Sequence, residues 1–423
     1  MTLPFIALCT LCGFLVGYVC LSVVRRLSGM NEFSRIKSSL SKFVSTDKRI
    51  QSLFPPPYVS TSFVPTGNRE TRKTDWLGDS AGGVVEVKAN IEKRIERAAV
   101  QSPEFAEALR YAFIKSGKMI RSRLVILLGH CLDFPQENQL LLLAQAVEIL
   151  HSASLLHDDV VDEADMRRGV ESHRKKFGDK SAILTGDNMI SILVDVLTEI
   201  NNMKVTECVS ESIEALVIGE LLQLTYKSSY NSATLDSRLF PPSEIPKELG
   251  TSINMYLRKS YFKTASLFAC LGRCVGFITD RSKEDVDRLG SFGFFFGLAF
   301  QLIDDLLDLE MDDEDGAIGK PVGGSDIRNG TVTLPVLLAT ESNKLSSQER
   351  EELGKMLKRR FKLGGDPERA IGLIAKSDAI ERSREVVSYY MDRCRSDLLP
   401  IIKDTKGFDA LDCLFADYES RQG

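Results

Sequence analysis

The chain has 423 residues, of which 43% are hydrophobic and 27% charged, a composition that excludes a disordered polymer and marks a chain able to bury a large core. Its net charge of −5 is unevenly distributed, with +5 in residues 1–50 and −10 in the remainder. An acidic body excludes wrapping of a nucleic-acid backbone, which needs a basic surface to displace counterions, and points to a small-molecule partner.

From Leu3 to Val24 no residue is charged. About 22 residues at a 1.5 Å rise reach roughly 33 Å, enough to cross a bilayer. Residues 1–24 are therefore expected to be a membrane anchor, with an atypical targeting sequence as the alternative. Arg25 and Arg26 follow the apolar run, so the positive-inside rule keeps the rest on the cytosolic or matrix side. Residues 25–83, with Pro55-Pro56-Pro57 and Gly82-Gly83, read as a flexible linker.

Residues 84–423 form one predicted domain. Apolar residues recur there at three- and four-residue spacing with no run of alternating strands, so the fold class is all-α. Helices are predicted over 84–101, 103–115, 120–132, 136–164, 181–200, 206–226, 252–277, 282–312 and 330–342, with three or four more to the end. Residues 227–251, with Pro241, Pro242 and Pro246, read as an inserted loop. Nine cysteines, several in apolar runs (Cys9, Cys12, Cys20, Cys270, Cys274), read as buried thiols in a reducing compartment.

Two helices carry acidic ends. Val147, His151, Ser154, Asp158 and Asp162 follow helical spacing on one side, with Asp159 adjacent. Gly297, Gln301, Asp304 and Asp308 repeat the arrangement, with Asp305 adjacent. Like charges on successive turns repel, and a divalent cation reverses that cost. A single DDxxD is also what a solvated acidic face looks like. Two copies, each ending an apolar helix, instead suggest a deep site with six carboxylates at its mouth and hydrophobic walls beneath. Such hard oxygen ligands suit Mg²⁺ bridging protein to phosphate. The run Asp312-Asp313-Glu314-Asp315-Gly316 would place Met311 at the first position of a calcium loop, so it reads as a solvated loop.

Ordered motifs join these aspartates. They are Gly117-Lys118-Met119-Ile120-Arg121, Glu148-Ile149-Leu150-His151, Leu155-Leu156-His157-Asp158-Asp159-Val160-Val161-Asp162, Asp165-Met166-Arg167-Arg168-Gly169, Gly186-Asp187, Gly219-Glu220 with Gln223, Lys263-Thr264-Ala265, Phe300-Gln301-Leu302-Ile303-Asp304-Asp305-Leu306-Leu307-Asp308 and Gly319-Lys320. From about residue 84 to the end, the chain resembles the trans-isoprenyl diphosphate synthases. The resemblance implies an all-α isoprenoid synthase-type bundle with a central substrate cavity, where an allylic diphosphate is lengthened with isopentenyl diphosphate. It assigns Lys118, Arg121, His151 and Arg168 to isopentenyl diphosphate, and Arg167, Lys263, Thr264, Gln301 and Lys320 to the allylic diphosphate. Mg²⁺ falls to Asp158, Asp159, Asp162, Asp304, Asp305 and Asp308. The residues expected to carry the chemistry are Asp158, Asp159, Asp162, Arg167, Lys263, Asp304 and Lys320. His157 is read as structural. The resemblance also implies a homodimer or a heteromer with a homologous subunit, with a mitochondrial membrane favoured and the cytosolic face of another membrane, such as the endoplasmic reticulum, as the alternative.

The chain departs from the family pattern at two of these motifs. Ser122 and Arg123 stand where the family often has Pro after the first basic motif. Asn329-Gly330-Thr331 stands where many short-chain members carry a second lysine, a pattern similar to long-chain synthases that supply quinone tails. One turn before Asp158 are the small Ala153 and Ser154, where farnesyl-type enzymes tend to carry an aromatic plug. An all-trans product of the solanesyl or decaprenyl class is expected. The alternatives are a geranylgeranyl diphosphate synthase, a non-catalytic partner subunit and a terpene cyclase. The six aspartates speak against the second, and the pair Lys118 and Arg121 against the third. Ala153→Phe is expected to shorten the product; chromatography showing an unchanged long product would contradict a tunnel at that position.

Overall fold

The computed structural model describes Gly78 and residues 80–114, 117–225, 250–310, 323–402 and 405–420. The expected anchor, most of the linker, the 227–249 part of the insertion and the acidic run at 312–316 lie outside the described residues.

The described chain is helical, with a single two-stranded hairpin. Its elements are α1 (Ala81–Gln101), α2 (Ala106–Tyr111), α3 (Ile120–Cys131), α4 (Glu137–Val161), β1 (Met166–Arg167), β2 (Val170–Glu171), α5 (His173–Phe177), α6 (Asp179–Ile200) and α7 (Met203–Thr225). There follow α8 (Gly250–Ser260), α9 (Ser266–Ile278), α10 (Lys283–Glu310), α11 (Ser325–Arg328), α12 (Leu334–Ala339), α13 (Ser347–Lys358), α14 (Asp366–Lys376), α15 (Ala379–Leu398) and α16 (Thr405–Glu419). Four helices follow residue 342, within the range expected. The long helix predicted over 252–277 is interrupted, because a π turn at Tyr261–Ala265 separates α8 from α9. The helix predicted over 103–115 is a 3₁₀ turn at Pro103–Phe105 followed by the short α2. The segment predicted as 330–342 is helical only over Leu334–Ala339.

Burial explains the sequence of α4. This helix is apolar on nearly every side because it packs on α3, α6 and α9 at once. By length and composition α4 and α6 could each cross a membrane, yet 83% of the most apolar window of α4 is buried among its neighbours. It is a core helix.

Helices α9 and α10 pack closely along their length. A Cβ on Gly293 would stand 2.0 Å from the Phe268 carbonyl oxygen, and one on Gly272 2.1 Å from that of Leu289. Glycine is required at both positions because backbone meets backbone. Around this crossing Phe268, Phe292, Phe296 and Phe415 stack with ring centroids 5.4–6.0 Å apart, within the range that aromatic pairs favour. The packing holds α10 in register, so that the acidic end of α10 is placed by its glycines and aromatics a few turns earlier.

One buried carboxyl in the same layer is under electrostatic load. Asp397 on α15 is fully buried and accepts a 2.7 Å hydrogen bond from Ser291 Oγ on α10. Burial raises its pKa to about 7 despite Ser291, Arg393 and Arg288. A folded-state value above the unfolded one means that protonation stabilises the fold: the advantage is complete below about pH 4 and is lost as the pH rises through about 7. The shift corresponds to on the order of 4 kcal/mol, and denaturant titrations at pH 5 and pH 8 should show Asp397→Asn with the smaller change in stability. Gly293→Ala should lower stability by about 1–3 kcal/mol by overpacking, read as a lower denaturation midpoint.

Candidate active site

The first acidic motif begins inside α4 and ends at its C-cap, Asp162. The second lies in the last three turns of α10. The bundle brings both to one cavity of about 1010 Å³, lined by Asp158 and Asp162 from the first and Asp304 and Asp305 from the second. Lys118, Arg121, His151, Arg167, Arg168, Lys263, Thr264 and Gln301 line the same cavity, with Leu155, Leu216, Leu267 and Phe300 as apolar wall. Every assigned residue within the described segments except Asp159 and Asp308 therefore faces one space. Lys320 lies outside the described residues.

The other two aspartates have protein partners of their own. Asp159 is buried and accepts a 2.9 Å hydrogen bond from Arg167 Nε. Asp308 receives the backbone N–H groups of Ser325 at 3.2 Å and Asp326 at 3.0 Å, holding the start of α11 against the end of α10. Four carboxylates from the two motifs line the cavity, and the other two position its walls.

The cationic side is built by tight turns. Between β1 and β2, Arg168 and Gly169 both have positive φ, at 49° and 77°. This is the combination that a two-residue hairpin needs, and it is uncommon for arginine. The turn brings Arg168 beside Gly117, whose own φ is 65° and where a Cβ would stand 3.2 Å from the guanidinium carbon. Arg121 lies 4.6 Å over the Phe268 ring, and its Nε has no hydrogen-bond partner. Burial lowers its pKa, with Glu148 and Asp304 opposing the change. His151 is held neutral, first by burial and then by the fields of Arg121, Arg168 and Arg167. Several guanidinium groups around a neutral imidazole, one with an idle donor, suit an anion with several oxygens.

The π turn organises the opposite wall. By adding a residue to the helical turn, it re-aims Lys263 and Thr264, as such bulges often do at functional sites. Lys263 Nζ sits 2.7 Å from Glu220 Oε1. Burial works against the Lys263 charge, but Glu220 and Asp158 raise its pKa. Glu220 is pushed up to about 7, by burial first and then by Asp158. Thr264 Oγ1 donates to Gln301 Oε1 at 2.6 Å, and Gln301 Nε2 donates to Asp305 at 2.9 Å. Tyr256 donates a 2.6 Å hydrogen bond to the other oxygen of Asp305. Burial nevertheless raises Asp305 to about 6, and Asp326, beside it on the cavity wall, also to about 6. Buried carboxylates crowded on one wall, raised first by desolvation, fit a divalent cation, which would hold them ionised.

Sequence reasoning assigned no role to Glu148, Glu220, Lys259, Asp326, Asn329, Thr331 or Tyr418. All except Glu220 line the cavity, and Glu220 reaches it through Lys263. Glu148 and Glu220 belong to the ordered motifs, whereas Lys259 carries no signal beyond its place four residues before Lys263. The expectation for His157 fits its surroundings: the ring is fully buried, with Nε2 3.2 Å from the Ile183 carbonyl, and burial takes its pKa down to about 4. Of the small pair before Asp158, Ser154 lines the cavity and Ala153 is completely buried beside it.

The family model described as Polyprenyl synthetase matches residues 102–374. A prenyl transferase of Synechocystis is 36% identical over 298 residues, covering 70% of this chain and 83% of that protein. A decaprenyl-diphosphate synthase of Dictyostelium discoideum is 35% identical over 71% of this chain, and a probable mitochondrial hexaprenyl pyrophosphate synthase of Yarrowia lipolytica is 36% identical over 61%. The matches span 59% and 52% of the length of those two relatives. A polyprenyl synthase of Caulobacter crescentus, solved with calcium and isoprenyl diphosphate, superimposes with a TM-score of 0.68 at 27% identity, covering 84% of this chain and all of that one.

Gly117→Ala should move the Arg168 guanidinium and strain the turn. Calorimetric titration with inorganic pyrophosphate is expected to show affinity weakened by about tenfold, or roughly 1.4 kcal/mol of binding free energy, because the guanidinium is displaced.

Proposed function

This chain belongs to the polyprenyl synthetase family and is a trans-prenyltransferase, and from that premise we propose that it extends an allylic diphosphate with several isopentenyl diphosphates to a long all-trans polyprenyl diphosphate for a quinone side chain. The observation that carries the reading is the single cavity where Asp158 and Asp162 from α4 and Asp304 and Asp305 from α10 meet Lys118, Arg121, Arg167, Arg168 and Lys263. Its volume of about 1010 Å³ is at the upper end for small-molecule sites, roughly 300–1,000 Å³.

In this reading Lys118, Arg121, His151 and Arg168 hold isopentenyl diphosphate, with His151 uncharged among the guanidinium groups. Arg167, Lys263, Thr264, Gln301 and Lys320 hold the allylic diphosphate. Asp158, Asp162, Asp304 and Asp305 face the metal position, while Asp159 and Asp308 act through Arg167 and α11. Bound Mg²⁺ supplies neutralisation of the diphosphate and electron withdrawal from the leaving oxygen. Calcium in the Caulobacter structure accords with a divalent ion.

The allylic carbon to oxygen bond breaks, and Lys263 and Arg167 stabilise charge as it develops on the leaving pyrophosphate. Leu155, Leu216, Leu267 and Phe300 keep water from the carbocation. The alkene of isopentenyl diphosphate forms the new carbon to carbon bond, so no protein nucleophile is needed, and pyrophosphate is the base that accepts the final proton. The small Ser154 on the cavity wall, backed by the small buried Ala153, supports room below the aspartates for a lengthening chain.

Residues 1–24 anchor the enzyme and 25–83 tether it in this reading, so that the apolar product, costing about 0.8 kcal/mol per CH₂ to expose to water, is released at a membrane. The mitochondrial relative supports that compartment. The enzyme works as a homodimer or with a homologous subunit.

Product sizing with two or three allylic primers and Mg²⁺ tests the function directly. Farnesyl or geranylgeranyl diphosphate as the sole product overturns the long-chain assignment, and turnover without isopentenyl diphosphate indicates a cyclase. Asp158→Asn is expected to lower kcat by about 10²–10³-fold. A chelator should abolish turnover in the wild type, and added Mg²⁺ should restore it.

A further inference from the structure

Away from the cavity, helices α7 and α9 bring three thiols together. Cys208 is on α7, and Cys270 and Cys274 are one turn apart on α9, at 2%, 4% and 0% exposure. All three are free thiols, and their sulfurs lie within 4.8 Å of one another. Cys270 Sγ and Cys274 Sγ are 3.8 Å apart, and Cys208 Sγ donates to the Cys270 carbonyl at 3.7 Å. Any small apolar side chains would fill such a space. Three sulfurs converging on one point have a further property, the geometry of a ligand set.

A metal to sulfur bond of about 2.3 Å gives a sulfur to sulfur edge of about 4.0 Å in a trigonal site and about 3.8 Å in a tetrahedral one. The observed triangle needs little contraction for either. Thiolates select soft cations. No fourth His, Cys, Asp or Glu joins the three among the described residues, which disfavours a closed structural zinc site with its four ligands. Positive charge is at hand: Arg273, next to Cys274, bonds Glu211 on α7 at 2.9 Å. Contacts within the triad pull the Cys208 thiol below its usual range and, with burial, push Cys270 and Cys274 above theirs, so the three share their protons as one group.

We propose that Cys208, Cys270 and Cys274 form a three-coordinate site for a soft monovalent cation of the copper(I) class, clamping α7 to α9. One Cu⁺ displaces two thiol protons and is held by two thiolates and one thiol. The complex then carries a single negative charge beside the Arg273 guanidinium. No electron is transferred. The clamp joins the helix that carries Glu220 to the one that continues from the Lys263 π turn, so it braces one wall of the cavity without touching substrate.

The test uses the full chain with Cys9→Ser and Cys12→Ser, which removes the separate Cys-x-x-Cys pair. Reduced protein is titrated anaerobically with Cu⁺ against bicinchoninate as colorimetric competitor. One equivalent per chain is expected to leave the competitor, with a rise in melting temperature. Cys208→Ala and the better-filled Cys208→Val should each weaken uptake by about 100-fold and lose the thermal shift. Cys394→Ala, a buried cysteine elsewhere, should keep both. Uptake absent from the parent chain, or equal in the parent and whichever Cys208 variant folds, overturns the site. Prenyl transfer is assayed separately, so failure of the copper site leaves the assignment of the cavity standing.

Discussion

The site depends on one electrostatic constraint: carboxylates from two helices are forced into one partly desolvated space where they repel. Burial raises Asp305 to about 6, and Asp304 is its neighbour in sequence. The repulsion is tolerated because the surroundings answer it with positive charge and hydrogen bonds. Lys263 stands near Asp158 and Asp162, and Tyr256 and Gln301 take both oxygens of Asp305. A divalent cation completes this balance and a diphosphate then offsets the excess of arginine and lysine opposite, so cation and anion belong together.

That constraint explains features of the fold remote from it. For α10 to present its aspartates opposite α4, it must lie almost against α9, which requires glycine at the crossings. The aromatic layer of Phe268, Phe292, Phe296 and Phe415 fills the space beside the close contact and fixes the rotation of α10. Phe268 also lies beneath Arg121, so one ring serves the core on one side and a cation of the cavity wall on the other. Packing and chemistry share side chains here, which limits what either can vary alone.

The helices and their acidic ends were legible in the sequence because both follow from periodicity: a carboxylate four residues after another must neighbour it on the helix. What escaped depends on backbone conformation or tertiary approach. The hairpin at 166–171 is two residues per strand, too short to show alternation, and its turn uses Arg168 where a glycine or asparagine would signal it. The π turn at Tyr261–Ala265 leaves an uninterrupted helical pattern, since one added residue barely disturbs apolar spacing. Lys259 and Asp326 enter the cavity from segments far apart in sequence, and no local pattern distinguishes them from surface charges. Asp308 was assigned to a metal by spacing and by resemblance; both give its helical position but neither gives the backbone donors of α11.

Those donors give Asp308 a different importance. A carboxylate that accepts two amides at a helix start gains charge-assisted hydrogen bonds and favourable helix-dipole interaction. Through them the end of α10 sets the position of α11, and with it Asp326, Asn329 and Thr331 on the cavity wall. The second acidic motif therefore divides its labour: Asp304 and Asp305 turn to the cavity, while the last aspartate holds the chain that closes its side. Asp159 does the equivalent for the first motif by gripping Arg167 on the hairpin. In each motif one aspartate is bonded to an adjoining segment, so the residues that line the cavity and those that hold its walls come from the same two short runs of sequence.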